Sequence, residues 1–280
     1  SDTLTGGLGN DIFKVDSGTD TVKDLGGAAG GQSDVLKVSS GAIANAVDIK
    51  NFVATSDTEN LGAATLTTVA TGGGIINMSG ATGSAQYTII GGSGADTLTG
   101  DGGNDTFKIA ASTAGNSDAI DGKGGDDTLD VSTGTHVLTN NNNLKDIENI
   151  TLNNSTINLT NQVEGFKITG ASGTDIITGG SGADTIIVSA AGEANSDTIN
   201  GGGGTNKIEV STGAHVFSTD GNVSNISEII AHSSGSTINL TGQAEGFTIT
   251  GNNAGDTITG GSGADIIAGK GGNDTLTGGG

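Results

Sequence analysis

Gly91–Thr99 and Gly100–Lys108 read GGSGADTLT and GDGGNDTFK. Both follow one nine-residue pattern: glycine, glycine, any residue, glycine, any residue, aspartate, any residue, an apolar residue, any residue. The pattern recurs in both directions along the chain. Upstream it appears at Gly6–Lys14 (GGLGNDIFK). Downstream it appears at Gly122–Asp130 (GKGGDDTLD), Gly170–Thr178 (GASGTDIIT) and Gly179–Ile187 (GGSGADTII). Gly251–Thr259, Gly260–Ala268 and Gly269–Thr277 close the series with GNNAGDTIT, GGSGADIIA and GKGGNDTLT. A fixed tandem period of this kind decides the fold before any other feature, because each unit is too small to bury an apolar face alone and must stack on its neighbours. A flexible glycine–serine linker needs no aspartate in phase with an apolar residue, so the pattern excludes that reading.

Composition agrees with a stacked architecture. Glycine supplies 53 of 280 residues, proline, cysteine and tryptophan are absent, and aromatics make up 2%. Large side chains are too few to fill a wide core. Hydrophobic residues still reach 32%, more than a disordered polyampholyte carries. Small apolar residues suit the narrow core of an all-β solenoid. The formal charge of −21 excludes a nucleic-acid-binding surface and disfavours anionic membranes. Such an excess repels itself unless cations are bound, so the charge alone points to a metal. No run approaches ~18 apolar residues, so no transmembrane segment is expected. The chain opens in mid-repeat without Met and is read as an excerpt of a longer protein.

The nonapeptide resembles the RTX, or hemolysin-type, calcium-binding repeat. That resemblance implies a turn over the first six residues and a short strand over the last three. Successive turns would wind into a right-handed parallel β-roll, a β-helix-like solenoid with Ca2+ between stacked turns. It also implies that several ions bind, and that the aspartates and turn carbonyls of two stacked motifs share each one. Calcium takes six to eight hard oxygen ligands, which carboxylates and backbone carbonyls supply. Because one turn of such a roll uses two nonapeptides, each motif should stack on the next but one. The expected pairs are Asp2/Asp20, Asp11/Asp34, Asp96/Asp118, Asp105/Asp127, Asp175/Asp197, Asp184/Asn206 and Asp256/Asp274, with Asp265 completing the candidate metal ligands. In two clusters the step to the third member is lengthened, each time ahead of Asn-Ser-Asp, at Asn116–Asp118 and Asn195–Asp197. Glycines at Gly26–Gly31 form a similar insertion before Asp34.

A longer repeat overlies the short one. Asn158–Gly170 (NLTNQVEGFKITG) returns as Asn239–Gly251 (NLTGQAEGFTITG), and Ser132–Val137 (STGTHV) returns as Ser211–Val216 (STGAHV). Calcium-type repeats are therefore expected at 1–40, 91–134, 170–210 and 251–280. Metal-free solenoid rungs are expected at 135–169 and 211–250, and irregular or metal-free rungs at 41–90. The apolar phase supports continuous rungs: Leu159, Ile168, Ile177 and Ile186 are nine apart, as are Leu240, Ile249, Ile258 and Ile267. The asparagine run Asn140–Asn143 reads as a turn.

No enzyme is expected. His136 and His215 occupy equivalent places in the long repeat, and a catalytic residue has no reason to be copied with its scaffold. His232 is isolated. No Ser-His-Asp arrangement stands out, zinc-type His/Cys clusters are absent, and the glycine turns lack the lysine and helix of a phosphate loop. The leading expectation is a secreted bacterial cell-surface protein, a surface-layer component that self-associates into a lattice or filament. Any attachment to cell-surface polysaccharide would run through regions outside these residues. The RTX resemblance implies type I secretion of an unfolded chain that folds on meeting extracellular calcium. Two alternatives stand beside this: an extender segment of a large adhesin, and the secretion-and-folding domain of an enzyme.

Overall fold

The computed structural model describes residues 1–27, 32–131, 133–138, 140, 143–171, 173–189, 197–232 and 234–280, with only the backbone described at 112–116. Parts of the expected insertions at Gly26–Gly31 and Asn195–Asp197, and of the run Asn140–Asn143, lie outside the described residues. Every regular element among those described is a strand, and no helix is long and apolar enough to cross a membrane. The strands are short and pair in parallel with the strand one rung away, which defines a parallel β-solenoid.

The chain divides into two compact units. Unit 1 spans Ser1–Ala111, Gly115–Asp130 and Asn142–Glu148; unit 2 spans Ser112–Ala114, Val131–Asn141 and Asn149–Gly280. In unit 1, one wall stacks Leu66, Ile89, Phe107 and Leu129 as direct ladder partners. A second wall stacks Ile76, Leu98, Ile120 and Leu144. All eight side chains are buried. The segment that looks most degenerate in sequence, 41–84, also forms rungs. Its strands Ile43–Ile49 and Ala63–Thr68 pair with one register shift between Ala46 and Ile49.

In unit 2, Ile150, Ile168, Ile186, Ile208, Ile229, Ile249 and Ile267 stack in register along one wall. The spacing is physical: strand residues alternate between faces, so one isoleucine per short strand points inward and the β-branched side chain suits the extended backbone. The opposing ladders contain histidines. His136 stacks on Ile157, then Ile177 and Ile199, while His215 stacks on Ile238, then Ile258. The segments without the motif are thus rungs of the same coil. One detail departs from the nine-residue phase. The ladder partner of Ile177 is Ile157, twenty residues before it, and Leu159 is buried beside the following turn. That rung is two residues longer than two nonapeptides, and the surplus falls at the corner, leaving strand alternation intact.

Candidate metal corners

The motif aspartate sits where the glycine turn enters the strand. Its carbonyl oxygen accepts the N–H of the residue after the stacked acid, as in Thr128 to Asp105 (2.9 Å) and Thr198 to Asp175 (2.9 Å). Its own N–H donates downward to the carboxylate of the next rung. The resulting column joins Asp2 to Asp20 (2.8 Å), Asp11 to Asp34 (2.9 Å), Asp96 to Asp118 (2.7 Å) and Asp105 to Asp127 (2.6 Å). It also joins Asp175 to Asp197 (2.9 Å), Asp184 to Asn206 (2.9 Å) and Asp256 to Asp274 (2.9 Å). The seven stacked pairs are those the RTX resemblance implied. Asp265 instead takes the N–H of Phe247 (2.8 Å), one rung before it.

The columns run further than the motif. Gly74, Tyr87, Ser155, Phe166 and Ser236 donate their N–H groups to Asp96, Asp105, Asp175, Asp184 and Asp256 at 2.6–2.9 Å. At the other end, Asp127 donates to Glu148 Oε2 (2.8 Å), so a glutamate takes over the column on a rung without the motif. Glu148 follows Asp127 at the distance of one rung. That spacing was available in the sequence, but neither glycines nor an aspartate marked it.

Burial separates the sites. Asp34, Asp96, Asp105, Asp118, Asp127, Asp175, Asp184, Asp197 and Asp256 are at most 3% exposed. Asp11, Asp20, Asp265 and Asp274, on the outermost rungs of the chain described, are half-buried, and Asp2 is exposed. Burying an ionised carboxylate is costly unless it is paired. Lysine ion pairs go to Asp16, Asp121, Asp130, Asp146 and Glu209, away from these columns. Burial accordingly pushes the Asp105 carboxyl up to about 6. It pushes Asp127 up to about 7, helped by the negative charges of Asp105, Glu148 and Asp101, and it raises Asp184 as well.

The second carboxylate oxygen shows what the corner is built for. A Cβ on Gly100 would collide with Asp105 Oδ2 and would also meet the carbonyl oxygen of Gly122 on the next rung. The same pairing of carboxylate and carbonyl oxygen surrounds Gly122 (Asp127 Oδ2, Asp146 O), Gly179 (Asp184 Oδ2, Gly201 O) and Gly260 (Asp265 Oδ2, Gly278 O). Around Gly251 the space is bounded by Asp256 Oδ2 and Gly269 O, each 2.6 Å from a built Cβ. The first glycine of the motif is therefore required because two oxygens occupy the place of a side chain. Asp11 Oδ2 and Asp96 Oδ2 are buried with no hydrogen-bond partner.

Oδ2 of Asp105, Asp184, Asp256 and Asp265 each accept one backbone N–H of their own turn, from Asp101, Gly180, Asn252 and Gly261 (2.7–3.2 Å). The inter-rung carbonyl that faces each Oδ2 is an acceptor as well, and two oxygens set against each other in this way fit a hard cation. Among the described residues no three acidic or histidine side chains gather as a metal cluster, so a cation here must draw on backbone carbonyls as well as aspartates. An all-oxygen set of this kind suits calcium rather than zinc or copper.

Comparison with known proteins agrees with this geometry. The RTX calcium-binding nonapeptide repeat (four copies) matches residues 1–22, 88–107, 169–208, 189–214 and 248–280, together under half of the chain. No curated protein and no solved structure matches. The chain carries RTX calcium-binding nonapeptide repeats, set in a parallel β-solenoid, and such repeats are of the calcium-binding β-roll type. Proteins with these repeats are generally secreted.

Protons should partly substitute for calcium at these corners. Asp105 and Asp127 bind protons more tightly folded (about 6 and 7) than at the ordinary value of 3.8. The stability this gives is full below about pH 4 and is lost as pH rises through 6 and 7. His215 acts in the opposite sense, because burial lowers its pKa and the folded chain resists charging it in acid. With one histidine against several raised carboxyls, the chelator-treated chain should hold more β-structure at pH 5 than at pH 8. Circular dichroism across that range measures it, and equal or greater loss at pH 5 would contradict the burial argument.

Proposed function

We propose that this chain is a calcium-dependent extracellular structural protein, folding on Ca2+ after secretion and assembling at the bacterial cell surface as a surface-layer component. The observation that carries this reading is that, within each unit, rungs with acidic corners stack on rungs without them, so that the described rungs serve as scaffold. Asp105, Asp127, Asp184, Asp256 and Asp265 would hold calcium through Oδ2, together with the turn carbonyls that share their corners. Bound calcium neutralises these carboxylates and bridges successive turns. The N–H columns fix each Oδ1, so Oδ2 is already aimed before an ion arrives.

The histidines support a non-enzymatic role. His136 and His215 lie in the core ladders, where Nε2 meets the Thr133 carbonyl (2.9 Å) and the Ser211 carbonyl (3.1 Å). His232 is exposed, 3.9 Å from Glu209. His215 Nε2 also lies 3.5 Å from Ser211 Oγ, at the limit of hydrogen bonding, and its place in a core ladder fits a structural role.

A low cytosolic calcium level would leave the corners repelling, so the chain would remain open for export and close only outside. Electron microscopy of the purified chain in millimolar calcium tests the assembly. Ordered two-dimensional sheets are expected. Isolated rods at high protein concentration would instead favour a spacer segment of an adhesin, and dispersed single particles would sink the lattice reading.

A further inference from the structure

Asn206 stands in the column as though it were another motif aspartate, but its chemistry at the corner is inverted. Its Oδ1 accepts the N–H of Asp184 (2.9 Å), and an N–H can only donate, so the orientation of the carboxamide is fixed. Nδ2 therefore takes the seat that Oδ2 takes elsewhere. From there it donates to the carbonyl of Gly203 in its own turn (2.8 Å) and to the carbonyl of Asn225 on the next rung (3.0 Å). A Cβ on Gly201 would meet Asn225 O and Asn206 Nδ2, the counterparts of Gly122 O and Asp105 Oδ2 around Gly100. Where the aspartate corners set oxygen against oxygen, this corner sets a donor against an acceptor.

We infer that Asn206 is a built-in substitute for the cation rather than a ligand, and that it ends the calcium column that contains Asp184. The inference rests on the calcium reading of the aspartate corners. Buried carboxamides on the metal-free rungs show the same device independently. Gln243, 1% exposed, donates Nε2 to the carbonyls of Phe217 (3.0 Å) and Thr219 (2.7 Å). Gln162, equally buried and at the equivalent place in the long repeat, donates to the carbonyl of Asn140 (2.6 Å). Asn60 donates to the carbonyl of Gln86 (3.0 Å) on a rung of unit 1. An amide NH2 offers two donors to inter-rung carbonyls without the charge a carboxylate brings. The choice between Asp and a carboxamide thus sets, rung by rung, whether the coil needs calcium to close.

The test counts calcium retained by the full chain after equilibrium dialysis in millimolar calcium, by elemental mass spectrometry, in the wild type, Asn206→Ala and Asn206→Asp. Asn206→Ala should hold as many ions as the wild type, since no ligand is lost. Asn206→Asp recreates the oxygen pair and should hold one more, with its calcium-induced folding midpoint moved to higher calcium. Loss of an ion in Asn206→Ala would make Asn206 a ligand and overturn the inference. So would an unchanged count in a folded Asn206→Asp. If Asn206→Asp fails to fold, the Asn206→Ala count decides. A wild type that retains no calcium would remove the calcium reading itself, an outcome distinct from either variant result.

Discussion

In excess chelator at pH 8 the chain should lose most of its β-sheet signal, and recover it cooperatively on addition of millimolar calcium. The expectation follows from what the fold places out of water. Nine aspartates are at most 3% exposed, in a chain of formal charge −21. The walls between them are single ladders of isoleucine, leucine and valine, with six phenylalanines and one tyrosine in the whole chain. Such a core has little surplus to offset buried, mutually repelling carboxylates. At about 100 times its dissociation constant, one ion stabilises the folded state by ~2.7 kcal/mol. The oxygen-paired corners at Asp105, Asp127, Asp184, Asp256 and Asp265 together would then contribute on the order of 13 kcal/mol, comparable to the whole stability of an ordinary domain. Far-ultraviolet circular dichroism during a calcium titration reads the transition. A β-rich spectrum that chelator leaves unchanged at pH 8 would show that the corners close without metal.

Which parts of this were legible in the sequence depends on whether a residue's role is fixed by period or by direction. The aspartate pairs were legible because the RTX resemblance implies two motifs to a turn, which with the order of the motifs leaves one stacking register. Asp105 on Asp127 and Asp175 on Asp197 follow from that order, although a lengthened step sets them 22 residues apart. The inward isoleucines were legible for the same reason. The length of individual rungs was not: Ile157, not Leu159, faces Ile177, because a corner can absorb two residues without disturbing either strand. His136 and His215 could be seen to repeat, but burial depends on which face the strand turns inward, and neighbouring Thr and Val residues gave no decisive alternation. Glu148 was hidden because it continues the acidic column without a glycine turn. The direction of the Asn206 carboxamide was also beyond reach. Asp and Asn share a shape, and only the N–H of Asp184 arriving at one of the two atoms reveals that the other must be a donor.

Replacing Asp105 and Asp127 together should separate the two tasks their carboxylates perform. In Asp105→Ala/Asp127→Ala the column is cut: the N–H groups of Tyr87 and Asp105 lose acceptors at 2.8 and 2.6 Å. Each buried donor left unpaired costs about 1–3 kcal/mol, and the corners around Gly100 and Gly122 lose their charged oxygens besides. In Asp105→Asn/Asp127→Asn the amide oxygens can still take those N–H groups, while the NH2 groups turn toward the carbonyls of Gly122 and Asp146, as Asn206 turns toward Asn225, with loss of the one N–H that Asp101 gives Asp105 Oδ2 (2.9 Å). Both variants should therefore lose calcium from these corners, but only the alanine pair should loosen the rungs in calcium. Hydrogen exchange then reports the difference at Tyr87–Ile90, Thr106–Lys108 and Thr128–Val131, the strands that stack through these acids. Fast exchange in the alanine pair with near-wild-type protection in the asparagine pair is the expected result. Equal loosening in both would mean that the charge, and the ion it holds, carries the corner, with the hydrogen-bond column secondary. An unchanged calcium count in the alanine pair would place the ions elsewhere on the coil.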